Sequence, residues 1–222
     1  MSLRRGLALL FGCCLSSSGY AEIFEGFESK LYWQVAPWGD EAKSGISKER
    51  VSEGQTSLEV YFGPEMKQQK KGVVIERDLS NFSEEFNKLT IDVFNEGPAK
   101  ISVALAVETD EYFESVALPL EKGWNKGLSY FLDGHMFKSK SSNWQYESSV
   151  NLKSPLKKIY LIFYRNDAPE GRFFIDHIEV TREIAPSIAR AISGETSGKH
   201  EVERSKKYHY RPKGLPIEIF TR

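Results

Sequence analysis

Apolar and polar residues alternate with a period of two through most of the chain between positions 22 and 181. Ser57–Phe62 sets Leu58, Val60 and Phe62 on one face, and Lys88–Asn95 does the same with Leu89, Ile91 and Val93. Residues 99–108 (AKISVALAVE) align Ile101, Val103, Leu105 and Val107. Gly72–Asp78 and the segments 112–120, 123–132, 156–164 and 172–181 continue the series. Period-two alternation in β-branched and aromatic residues predicts strands rather than helices. Eight or more such strands, split by turn residues, predict an all-β fold: a two-layer antiparallel β-sandwich of the jelly-roll kind. Within this region the one helical expectation is a turn at 83–87 (SEEFN), with Ser83 as its N-cap; a brief helix is expected at 185–192, beyond it.

The opposite phases of two strands break the usual rule. An exposed strand face should be polar, yet 156–164 sets Tyr160, Ile162 and Tyr164 opposite the core positions Ile159, Leu161 and Phe163. Residues 99–108 likewise set the small Ser102, Ala104 and Ala106 outward. Such a face either takes a ligand or is covered by another segment. Recognition of a sugar needs flat aromatic rings for C–H stacking and a few planar hydrogen-bonding groups. The candidates are Tyr160 and Tyr164, with Trp33, Trp38, Tyr61, Trp144 and Tyr146 in loops or on outer faces. Arg165 follows Tyr164 and offers a fork for hydroxyls or a uronate. Phe62, Phe163 and Trp124 read as packing.

The ends differ from the middle. Residues 1–21 read as a secretory signal: Arg4 and Arg5, a short apolar run, and Gly19-Tyr20-Ala21 before a cleavage site at Glu22. Phe11 stands where a lipoprotein acylation box expects a small residue, so the expectation is a secreted or periplasmic chain rather than a lipid-anchored one. Cys13 and Cys14 both lie in the signal, which leaves the mature chain without thiols or disulfides. No later segment is apolar enough to span a bilayer. Within 22–181, nineteen Lys and Arg face twenty-six Asp and Glu; within 182–222, nine face five. That last segment reads as a basic, partly disordered tail or as a docking arm for a protein partner.

Several chemistries find no motif. The four histidines, His135, His177, His200 and His209, form no tight ligand spacing. There is no nucleophile elbow, P-loop or dinucleotide fingerprint. Carboxylates such as Glu84, Glu85, Asp110, Glu111 and Glu114 read as solvated surface. An acidic body with a short, diluted basic tail does not suit nucleic acid.

Five segments, in order, resemble one broad family. Phe27-Glu28 with Trp33 is similar to its opening "FE…W". Residues 49–60 (ERVSEGQTSLEV) are similar to its "SEGxxSLxV" turn and strand. Residues 89–95 (LTIDVFN), 118–125 (LPLEKGWN) and 172–180 (RFFIDHIEV) resemble its "LxFDVYN", "xxLxxGWN" and "xxYIDNIxx". Together they resemble the galactose-binding-domain-like jelly rolls of carbohydrate-binding modules, over about 23–181. The resemblance implies a structural calcium ion. Its ligands would be Glu28, the backbone oxygens of Glu53 and Gln55, and Asp176. Asp176 stands in phase with Phe174, Ile178 and Val180, the inward face by this reading, where a carboxylate needs a metal or other partners. Backbone hydrogen bonds or a salt bridge are the alternative. The resulting expectation is an exported, non-catalytic binder of poly- or oligosaccharides. The alternatives are a structural or interaction protein on the same fold and a small polysaccharide-acting enzyme.

Overall fold

The computed structural model describes residues 20–182 other than 30, 68–71, 83–84, 98–99 and 167. The signal before Tyr20, the Ser83 cap and the tail beyond Arg182 lie outside the described residues. No helix occurs among the described residues, so none there is long and apolar enough to cross a membrane.

Among the described residues thirteen strands form two antiparallel sheets, as the alternation predicts. The first sheet contains β1 (Tyr20–Glu25), β3 (Lys43–Ser47), β4 (Ser57–Phe62), β6 (Lys88–Asn95), β10 (Gly123–Phe131) and β13 (Gly171–Arg182). Its order is β10-β6-β13-β4-β3, with β1 also paired to β13. The second contains β2 (Gln34–Val35), β5 (Gly72–Asp78), β7 (Ile101–Glu108), β8 (Tyr112–Ser115), β9 (Leu118–Leu120), β11 (Phe137–Ser139) and β12 (Lys158–Tyr164). Its order is β11-β8-β7-β12-β5-β2, with β9 beside β7.

The inward faces meet in one core. Leu58, Val60, Phe62, Leu89, Ile91 and Val93 from the first sheet pack on Val73, Ile75, Val103, Leu105, Ile159, Leu161 and Phe163 from the second. Phe163 stacks on Phe173 with centroids 3.9 Å apart. Each such side chain contributes about 1.5–3 kcal/mol by leaving water. Tyr130, fully buried, crosses between the sheets and donates to the Val103 carbonyl at 2.9 Å.

The segment 112–120, read as one strand, is two. β8 pairs with the end of β7 and β9 with its beginning. Between them the Leu105 amide donates to the Ser115 hydroxyl at 2.9 Å, and that hydroxyl donates to the Val116 carbonyl. A side chain thus takes the place of a ladder carbonyl, and the strand breaks there.

The phase read for β13 is also corrected. Phe173 and Ile175 face the core, then Ile178 and Val180, while Phe174 lies on the outer side against Phe94. A bulge between Asp176 and Glu179 shifts the register, with His177 at φ +43°. One extra residue flips every later side chain to the other face. Asp176 therefore belongs with Phe174 and not with the core.

Candidate functional site

The outer face of the second sheet gathers the unusual residues. One row runs across six strands in direct register: Gln34 on β2, Glu76 on β5, Tyr160 on β12, Ala106 on β7, Glu114 on β8 and Lys138 on β11. Neighbouring rows set Val74, Ile162 and Ala104 on one side, and Asp78, Lys158, Glu108 and Tyr112 on the other. Val74, Ala104, Ala106, Tyr160 and Ile162 form a second apolar cluster with Ala36, and Tyr112 and Tyr164 pack on it. The small residues on β7 let the tyrosines of the flanking strands lie down over them. This is why β7 is buried on both faces and reads as a nearly continuous apolar run.

Above this floor four rings form a belt. Trp38 meets Tyr160 edge-on with centroids 5.7 Å apart, Tyr160 meets Tyr112 at 6.0 Å, and Tyr112 meets Trp144 at 6.4 Å. The belt ends in exposed indoles: Trp38 is 38% and Trp144 54% accessible, against 5% for Tyr160 between them. Trp38 sits in the turn after β2, which is fixed to β5 by Ala36 N–H to Val74 O and Asp40 N–H to Gly72 O. Trp144 follows Asn143, and both have positive φ, +61° and +52°. That backbone is uncommon for a bulky residue and needs support. The Trp144 amide donates to Ser139 O at 2.8 Å, and Glu111 accepts from the Ser141 amide and hydroxyl.

Carboxylates on the same rows fix the tyrosines. Glu114 accepts from the Tyr164 and Tyr112 hydroxyls and from Lys138 Nζ at 2.7 Å. Glu108 accepts from Tyr160 at 2.8 Å. Glu76 accepts from Gln34 Nε2 at 2.9 Å and faces Lys158 Nζ at 3.5 Å. Burial, then the Glu114 charge, pushes the Tyr112 and Tyr164 hydroxyls well above their ordinary range. Burial and the bond to Glu108 do the same for Tyr160. Burial opposes the Lys138 charge, but Glu114 outweighs it and holds the ammonium above its usual range. The hydroxyls therefore stay protonated and the rings stay in place.

The structure brings Trp38, Trp144, Tyr160 and Tyr164 together, with Tyr146 exposed beside them and Lys138 over its ring. It separates three other candidates. Trp33 is 2% exposed in the main core and has no face for a sugar. Tyr61 lies on β4 in the other sheet. Arg165 is buried: it donates to the Ala168 and Pro169 carbonyls, lies 3.5 Å from Asp40 and covers the Phe62 ring. It clamps a turn and offers no fork to a ligand. Sequence reasoning passed over Tyr112, Gln34, Glu76 and Glu108, and read Glu114 as solvated surface, whereas it is buried among three partners. The outward phase of Tyr112 and Glu114 was the available signal.

The second constellation is the glycine turn. Glu28 Oε1 accepts from the Gln55 amide at 2.6 Å and the Thr56 amide at 3.1 Å. Asp176 Oδ2 accepts from the Ser52 amide at 2.7 Å and the Glu53 amide at 3.1 Å, and its Oδ1 from the His177 amide. The Glu53 side chain turns away to His177 Nδ1 at 2.8 Å. Gly54 has φ +76°, and a Cβ there would collide with Glu28 Oε1. Calcium requires six to eight converging oxygens. Here the turn aims amide hydrogens at both carboxylates, and hydrogens repel a cation. Among the described residues no three or more Asp, Glu, His or Cys side chains converge as for a metal. Glu28 and Asp176 thus make the backbone hydrogen bonds that the sequence left as the alternative to calcium. They form a hydrogen-bonded clasp that ties the turn to β13 and to the residues just after β1.

No protein-family model matches the sequence, and no curated protein matches it. Solved structures do match. A family 11 carbohydrate-binding module from Clostridium thermocellum, in complex with a β-1,3-1,4-mixed-linked tetrasaccharide, superposes with a TM-score of 0.55 at 14% identity, over 76% of this chain and 99% of that one. The family 11 module of the cellulosomal cellulase Lic26A-Cel5E of the same organism gives 0.54 at 13% identity, over 74% and 95%. An agarase gives 0.52 at 10% identity, with 76% of this chain matching a quarter (25%) of that one. The chain thus has the two-sheet β-sandwich fold of carbohydrate-binding modules.

Proposed function

We propose that this protein binds a carbohydrate chain, without transforming it, along the aromatic belt of the second sheet. The observation that carries the reading is the row Trp38–Tyr160–Tyr112–Trp144, with an exposed indole at each end. Sugar rings present C–H groups on their flat faces, and aromatic rings offer the matching surface. The tyrosines are already fixed by Glu108 and Glu114, so binding costs little rotamer freedom. The fold's resemblance to modules of this kind, one of them solved with a tetrasaccharide, supports the same reading. So does the N-terminal signal pattern, which sends the chain to a secreted or periplasmic setting where polysaccharides are found.

The test is retention of the full chain in gels cast with soluble polysaccharides, beside Trp38→Ala and Trp144→Ala. Retardation of the parent and its loss in both variants, with unchanged melting temperatures, is the expected result. A parent that migrates freely through every polysaccharide overturns the proposal.

A further inference from the structure

The hydrogen-bonding groups beside the belt define which class of glycan it takes. Tyr112, Tyr160 and Tyr164 give their only hydroxyl hydrogens to Glu114 and Glu108. The Gln34 amide group and Lys158 point at Glu76, and Lys138 points at Glu114. The tyrosine hydrogens are thus spent within the face, while Gln34 and the two ammonium groups keep N–H groups beyond those that meet Glu76 and Glu114. Acceptor capacity is left on the carboxylates and tyrosines: the second oxygens of Glu76 and Glu108, which take no hydrogen bond among the described residues, and the lone pairs of the tyrosine oxygens. Formal charge points the same way. Asp78, Glu76, Glu108 and Glu114 stand on these two rows with only Lys138 and Lys158 against them. The guanidiniums next to the face in sequence are turned away from it: Arg165 is buried in its own turn, and Arg77 pairs with Glu25.

We infer that the belt selects glycans that approach with hydroxyl hydrogens and carry no anionic group, and that it excludes uronate- and sulfate-bearing chains. A neutral sugar brings hydroxyl donors to acceptors that need them. A uronate or sulfate adds negative charge to a face that already has an excess of it, and the two ammonium groups that could meet it already face Glu114 and Glu76. The inference rests on the carbohydrate-binding reading of the same face.

The experiment measures affinity of the full chain at low salt for two sets of soluble polysaccharides. The neutral set is mixed-linked β-glucan, xylan, galactomannan and agarose; the anionic set is polygalacturonate, alginate and carrageenan. At least one neutral glycan binds, and every anionic one binds at least tenfold more weakly. Glu76→Gln with Glu108→Gln narrows that gap at least threefold, and so does raised salt, which screens the repulsion. An anionic glycan bound as tightly as the best neutral one overturns the selectivity and leaves the binding face standing. Binding to neither set overturns the carbohydrate reading and the selectivity with it.

Discussion

Both outer faces of the sandwich carry a row of aromatic rings, and they are finished in opposite ways. On the first sheet Trp124, Phe94 and Phe174 are direct cross-strand neighbours with centroids 5.4 and 6.1 Å apart. Each is covered by a cation: Lys126 over Trp124, Arg50 over Phe94 and Arg172 over Phe174. Arg172 is in turn held by Glu49, Glu59 and Glu96, and its bond to Glu59 keeps it firmly charged. Ring, cation and carboxylate close on one another. On the second sheet the carboxylates bind the tyrosine hydroxyls and leave the ring faces alone, and among the described residues no cation covers a ring of the belt. An aromatic row is therefore not a site by itself; what matters is whether the protein supplies the partner for the ring faces.

The largest effect separating the two faces is on binding. Replacing Trp38 and Trp144 together by alanine weakens glycan binding by roughly thirtyfold or more, as for anchor aromatics at an interface. Unfolding free energy then changes by only about 0.5 kcal/mol, because both indoles are exposed. Titration calorimetry and denaturant unfolding of the double variant check both halves. Next in size, Glu114→Ala strands two hydroxyls and Lys138; it lowers stability by about 2–3 kcal/mol and weakens binding as the tyrosines loosen. On the other face, Trp124→Ala costs about 1–2 kcal/mol of stability and leaves glycan affinity unchanged; a loss of affinity there would erase the contrast drawn above.

The clasp gives smaller effects. Amide hydrogens from Gln55 and Thr56 hold the Glu28 carboxyl below its ordinary 4.5. A depressed folded value means that the stabilisation is present above that pH and is lost as pH falls through the folded value. Glu28→Gln should therefore melt lower than the parent at pH 7, and the difference should close in acid. Asp176 has the opposite sign: burial raises its carboxyl despite three amide donors, so its contribution favours low pH. Melting curves of Glu28→Gln from pH 7 to pH 3 test the first without the second. Last, a chelator should shift the parent's melting temperature by nothing measurable. A clear fall would return a metal to the glycine turn.

The sequence pattern found β4, β5 and β6 at their observed bounds, because β4 and β6 carry alternating core positions and β5 is a short β-branched run buried on both faces. It missed β2, β3 and β11, which have only two to five residues and too few positions to show a period. It misjudged β13 because a bulge at His177 changes the phase without changing the composition. Tyr160 and Tyr164 were legible as apolar residues on the wrong face of a strand. Their partners were not. Glu76 beside Tyr160 and Glu114 beside Lys138 are matters of register between strands, which no single strand encodes. Arg165 shows the reverse error: next to Tyr164 in sequence, it leaves the face as soon as the strand ends and its guanidinium turns in to the Ala168 and Pro169 carbonyls.

The pairing of the first strand with the last has a mechanical side. Tyr20 lies opposite Arg182, and Glu25 opposite Ile178, so the outer ends of β1 and β13 sit at the same end of one ladder. A force pulling those two ends apart loads the hydrogen bonds one at a time rather than all together. The sandwich should open there like a zipper, at low force, well before its core gives way.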